Sequence, residues 1–137
     1  MLVKCQKRAL RIICGVCKYE HTAPLFERLK ILNLRSIYIQ AVLIFLYKYQ
    51  NKKLPKPFKD FFITNGEVHG HFTRQSDLFH PPMAKCHQRL SSMKAAGVKI
   101  FNAFITKLDY KQSYATFKYN LKQSLFALSD TDKKSIC

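Results

Sequence analysis

Apolar and polar residues recur with a helical period at both ends of this chain and lose that period in the middle. From Leu2 to Lys18, at 100° per residue, Lys4, Lys7, Arg8, Arg11 and Lys18 fall in a stripe about 100° wide. Leu2, Val3, Ala9, Leu10, Ile12, Ile13 and Val16 fall on the other side. The pattern predicts a helix with a basic ridge and an apolar face turned to the core. Thr22 as N-cap and Pro24 in the first turn predict a second helix, carrying Leu25, Phe26, Leu29 and Leu32 to about Asn33. A third is expected from Leu34 to Asn51, where Leu34, Ile37, Tyr38, Ala41, Phe45 and Tyr49 share a face. Ile39, Val42, Leu43 and Leu46 widen its apolar surface, and Arg35, Ser36, Gln40 and Asn51 form a narrow polar stripe. Such a helix belongs at the centre of the molecule.

Pro55 and Pro57 then stop helix propagation, because each removes a donor and restricts the residue before it. A short helical turn at Phe58 to Phe62 and a turn at Asn65-Gly66 are expected next. From His69 to Arg89 no period survives, and Pro81-Pro82 reinforces an extended, irregular path with a short strand at Phe72 to Arg74. Val98, Ile100, Phe101, Phe104 and Ile105, past Gly97, predict a short helix. Ser113 caps a last one, in which Tyr114, Phe117, Leu121, Leu125 and Leu128 share a face. The fold class is therefore mainly α: a small bundle of about four to five helices with an irregular, partly extended middle segment. One domain spans 1–128, with a helical half at 1–53, a connector at 54–93, C-terminal helices at 94–128 and a flexible tail at 129–137.

Charge narrows the class of partner. The 137 residues carry 24 Lys+Arg against 8 Asp+Glu, a formal net charge of +16. With 47% hydrophobic residues the chain is too apolar for a disordered basic tail. An excess that large disfavours the compact state through self-repulsion unless an anion screens it, so nucleic acid or an anionic membrane leads the choice of partner. Residues 1–60 hold 13 basic and 3 acidic side chains, and 61–137 hold 11 and 5, so neither half is a detachable arm. The longest apolar stretch, Ile37 to Tyr47, is about 11 residues where a bilayer span needs roughly 20. No segment resembles a secretory leader, and the five cysteines are an odd number. Free thiols and an intracellular, non-secreted protein of nucleus or cytoplasm are expected.

The order of motifs adds a resemblance. Gln6-Lys7-Arg8-Ala9-Leu10-Arg11-Ile12-Ile13 with Gly15 is followed by His21-Thr22-Ala23-Pro24-Leu25-Phe26 and Leu29-Lys30-Ile31-Leu32. Leu54-Pro55, Phe58 and Phe61-Phe62 come next, then Thr73-Arg74. Gly97-Val98-Lys99-Ile100-Phe101-Asn102 and Phe117-Lys118 with Leu121-Lys122 complete the series. In that order, over nearly the whole chain, these segments resemble the region downstream of the polymerase domain in reverse transcriptases of jockey-like non-LTR retrotransposons. Family members usually carry Trp where Phe101 stands and Leu-Pro where Phe104-Ile105 stands. The Tyr-x-Asp-Asp signature of the polymerase is absent, and Met1 is expected to be an internal methionine or the start of a truncated frame. The resemblance implies a fragment of an RNA-directed DNA polymerase, non-catalytic by itself, whose partners are RNA or DNA and the parent polymerase domain.

Candidate chemistry follows the same division. Two-metal phosphoryl transfer needs carboxylates brought together on rigid elements, and of the eight acids only Asp130 and Asp132 are near neighbours in sequence. No Ser or Cys stands in a nucleophile-elbow context, so no enzyme, no small-molecule substrate and no cofactor is expected. Cys14-x2-Cys17-x3-His21 has ligand-like spacing, with Cys5, His69, His71, Cys86 or His87 as a fourth zinc ligand; the alternative treats both cysteines as small apolar residues at a helix end. For nucleic-acid binding the candidates are Lys4, Lys7, Arg8, Arg11 and Lys18, with Arg74 as a second phosphate contact and Lys52, Lys53, Lys56 and Lys59 extending the surface. Phe26, Phe45, Tyr49, Phe101, Phe104 and Phe117 are expected in the core, leaving Tyr38 and Tyr47 for base stacking. Two other readings stand beside this one. One is an interaction module docking on the polymerase thumb and palm, or a degenerate element copy; the other is a basic amphipathic helix lying on a membrane.

Overall fold

The computed structural model describes residues 1–71, 73–83, 85–86, 88, 92–105 and 108–128. The described residues are mainly helical and contain no named strand. Six α-helices occur among them: α1 (Leu2–Cys14), α2 (Ala23–Arg28), α3 (Leu34–Gln50), α4 (Asn65–His69), α5 (Met93–Phe104) and α6 (Tyr114–Ala127). One 3-10 turn, Lys56–Phe58, sits at the two prolines. The expected tail at 129–137 and residue Phe72 of the expected strand lie outside the described residues. Thr73 and Arg74 belong to a loop and turn, and among the described residues the strand-like pairing is one antiparallel bridge, Thr64 with Phe79. No helix among the described residues is long and apolar enough to cross a membrane.

Helix α3 is central, packed by both α5 and α6. Its buried face is Ser36, Ile39, Val42, Leu43, Leu46 and Tyr47, while Ile37, Tyr38 and Ala41 face outward. Of the face expected inside, Phe45 and Tyr49 pack against the core, whereas Ile37, Tyr38 and Ala41 do not, and Ser36, expected in the polar stripe, is buried. Both faces of α3 are apolar, so periodicity alone offers no choice between them. The choice falls to the partners, Val98, Phe101 and Phe104 of α5 and Phe117, Leu121 and Leu125 of α6, all buried.

Rings thread this core continuously. Phe62 stacks on Phe79 at 4.9 Å, Phe79 meets Phe101 at 4.4 Å, Phe101 meets Tyr110 at 5.2 Å, and Tyr110 meets Phe117 at 5.3 Å. Phe117 stacks in turn on Tyr47 at 4.5 Å. Such pairs add about 0.5–1.5 kcal/mol each beyond the area they bury. The irregular middle segment is thereby fastened to the helices, and one side chain registers it. Asn102 on α5 accepts from Phe79 N–H (3.2 Å) and donates to Phe79 C=O (3.0 Å), pairing with the backbone as a strand would.

Local chemistry explains most helix starts. Asn33, Ser92 and Ser113 each accept from the backbone N–H three residues on. Asn65-Gly66 is not an open turn but the first residues of α4, because Thr64 and Glu67 form a reciprocal capping box. About three quarters of the way along the expected first helix, the helix stops. Gly15 adopts φ +65, its N–H reaches Ile12 C=O, and Val16 N–H reaches Arg11 C=O, so α1 ends at Cys14 rather than Lys18. The second helix is also shorter than expected. It ends at Arg28, Lys30 takes a positive φ, and Thr22 makes no side-chain cap hydrogen bond.

Candidate nucleic-acid interface

Helix α1 carries Lys4, Lys7, Arg8 and Arg11 at positions i, i+3, i+4 and i+7, which places them on one face. Lys4, Lys7 and Arg8 are exposed. Arg11 is half-buried, and its Nε donates to Glu20 C=O at 3.0 Å, folding the segment after the helix back against it. No acid precedes Glu20 in the chain, and none occupies the first turn of α1. Lys4 therefore faces Lys7 and Arg8, and Arg11 faces the same two, with like charges at helical neighbour spacing. Each such pair costs an isolated helix about 0.2–0.5 kcal/mol. An anion lying along the ridge removes that repulsion.

The remaining candidates are dispersed. Lys18 leaves the ridge because the helix ends four residues before it; it is exposed, with Nζ 5.8 Å from the Tyr19 ring centroid. Arg74 is exposed on the turn at 74–77, and Lys52, Lys53, Lys56 and Lys59 are exposed around the proline turn. Lys53 also lies over the Tyr47 ring at 5.8 Å. Tyr47 is no stacking platform: it is 1% exposed, and its hydroxyl donates to Gln112 C=O at 2.6 Å. Tyr38 is 44% exposed and keeps that option. Of the expected core rings, Phe101, Phe104 and Phe117 are fully buried, Phe45 and Tyr49 pack against the core, and Phe26 is half-buried beside α1.

The zinc spacing does not become a cluster. Continuation of the helix was needed to bring Cys14, Cys17 and His21 to one side, and the left-handed Gly15 ends that continuation. Among the described residues no three His, Cys, Asp or Glu side chains gather as metal ligands, and Cys5, Cys14, Cys17 and Cys86 are free thiols. His87 lies outside the described residues.

How α1 is held is the feature that periodicity did not reveal. Only Leu10 of the helix is buried. Gln6 donates through Nε2 to Leu32 C=O and accepts at Oε1 from Leu34 N–H, both at 3.0 Å, clasping the connection between α2 and α3. A groove of about 550 Å³ remains beside this clasp, lined by Lys7, Phe26, Leu32, Ser36 and Phe126 among others. The face assigned to the core is instead largely in solvent: Leu2 and Ile12 are each 71% exposed and Ile13 66%. The arc that docks is Gln6, Leu10 and Cys14, not the arc centred on Ala9 and Ile13.

No protein-family model, no curated protein and no solved structure matches this chain.

Proposed function

We propose that this chain is the C-terminal region of a retrotransposon reverse transcriptase and that α1 holds the phosphate backbone of RNA or DNA near the parent polymerase. The observation that carries the reading is the exposed, acid-free face formed by Lys4, Lys7 and Arg8. Contact through lysines and one arginine to phosphates positions a nucleic acid without reading its bases, so sequence preference is weak. The role is non-catalytic and intracellular: the chain holds a substrate that another domain transforms. The motif series that resembles jockey-like elements supports the parentage and supplies the RNA–DNA hybrid as the partner.

Binding of a fluorescent RNA–DNA duplex across a salt series tests this. Three to four phosphate contacts give a slope of log K against log salt of about −3 to −4. The triple variant Lys4→Gln, Lys7→Gln, Arg8→Gln is expected to lose most of that slope while keeping its helical circular dichroism. Undetectable binding, or a variant whose slope matches the parent chain, rejects the proposal.

A further inference from the structure

The exposed apolar side of α1 calls for a partner that the ridge alone does not. Leu2, Cys5, Ala9, Ile12 and Ile13 form a contiguous exposed strip on a 13-residue helix, bordering the docking arc of Gln6, Leu10 and Cys14. A phosphate backbone offers nothing to bury Ile12 and Ile13 against. A second copy offers an apolar face, but brings +16 against +16. A helix with an apolar strip, cations along its polar face and no acid of its own has the makeup of an interfacial helix. Charge complementarity selects an anionic lipid surface, whose headgroups attract Lys and Arg while its acyl boundary receives the isoleucines.

We propose that α1 lies in the interface of an anionic bilayer, with Leu2, Ile12 and Ile13 below the headgroups and Lys4, Lys7 and Arg8 among them. The short helix enters the plane of the membrane and does not cross it; the body attached through Gln6 and Leu10 stays on the aqueous side. This assignment shares Lys4, Lys7 and Arg8 with the nucleic-acid reading, and what it adds is the exposed strip of Leu2, Ile12 and Ile13.

Co-sedimentation of the full chain with phosphatidylcholine vesicles, with and without phosphatidylserine, tests it. The chain is expected to pellet with the phosphatidylserine vesicles only. Because the chain has no Trp, Ile13→Trp provides a single reporter, and its emission is expected to shift to the blue on those vesicles. Ile12→Gln with Ile13→Gln is expected to lower vesicle binding about tenfold or more, since two isoleucines no longer leave water. The same pair leaves affinity for an RNA–DNA duplex unchanged, which distinguishes failure here from failure of the nucleic-acid reading. Absence of pelleting, a double variant that binds vesicles like the parent chain, or emission from the Ile13→Trp chain that stays at its value in buffer overturns the proposal. So does a dimer in sedimentation velocity that Ile12→Gln with Ile13→Gln dissolves, because a second copy then covers the strip.

Discussion

Helices α1 and α3 present similar material to their surroundings and are held by different forces. Helix α3 is enclosed by α5, α6 and a run of aromatic rings, and its Ile39, Leu43 and Leu46 are fully buried. Helix α1 contributes one buried residue, Leu10, and is clasped through the amide of Gln6. A side-chain amide also fastens the core, from α5 rather than α3: Asn102 does for Phe79 what Gln6 does for the α2–α3 connection. The Asn102 clasp lies beside the Phe62–Phe79–Phe101 stack, whereas the Gln6 clasp borders an open groove. An apolar stripe thus specifies a face that gains from being covered, not which partner covers it. In α3 the partners are other parts of the same chain; in α1 the stripe remains available.

The largest expected effect separates the two regions by stability. Phe101→Ala removes a fully buried ring and is expected to cost about 3–5 kcal/mol in urea unfolding. Ile13→Gln, on the outer side of α1, is expected to stay within about 0.5 kcal/mol. A loss at Ile13 approaching that at Phe101 breaks the comparison, because the outer face is then packed.

An intermediate effect is expected from the clasp. Gln6→Ala leaves Leu34 N–H and Leu32 C=O without these partners, a loss of about 1–2 kcal/mol. It is expected to appear as faster amide exchange in α1 with little change in α3, α5 and α6. Acceleration spread evenly over all four helices means that α1 unfolds with the core as one unit.

The smallest effect is of opposite sign. The Tyr110 hydroxyl is buried with no hydrogen-bond partner among the described residues, so Tyr110→Phe is expected to stabilise the core by about 1 kcal/mol near neutral pH. Burial pushes the Tyr110 pKa well above the ordinary tyrosine range. The folded chain therefore keeps a proton that the unfolded chain releases above about pH 10. Stability is expected to fall as pH rises past that point. Melting curves at neutral and alkaline pH check both claims: the phenylalanine variant melts higher and falls less steeply. A variant that melts lower shows that the hydroxyl has a partner.

Much of the secondary structure is legible in the sequence because its causes are local. Asn33, Ser113 and the proline pair at Pro55 and Pro57 act through groups within a few residues. Thr64 and Glu67 carry an equally local signal, but Asn65-Gly66 between them favoured the turn reading. Glycine at position 15 was visible as well; its role as a terminator depends on a left-handed backbone that glycine permits without requiring. The candidate ridge was legible as far as Arg11. The helical period carries Lys18 onto the ridge only if it runs past Cys14, where the helix stops.

The helical character, the central position of the 34–50 segment and the basic stripe of α1 each follow from spacing along one stretch of chain. Which side of α3 is inside, where Tyr47 and Ser36 lie, and the docking of α1 through Gln6 and Leu10 with Ile12 and Ile13 exposed all depend on packing between elements. Burial is a property of pairs of elements. The partners that fill it come from residues 62–79, 93–104 and 114–127, far from α3 in sequence, and no period within a helix encodes which face they will reach.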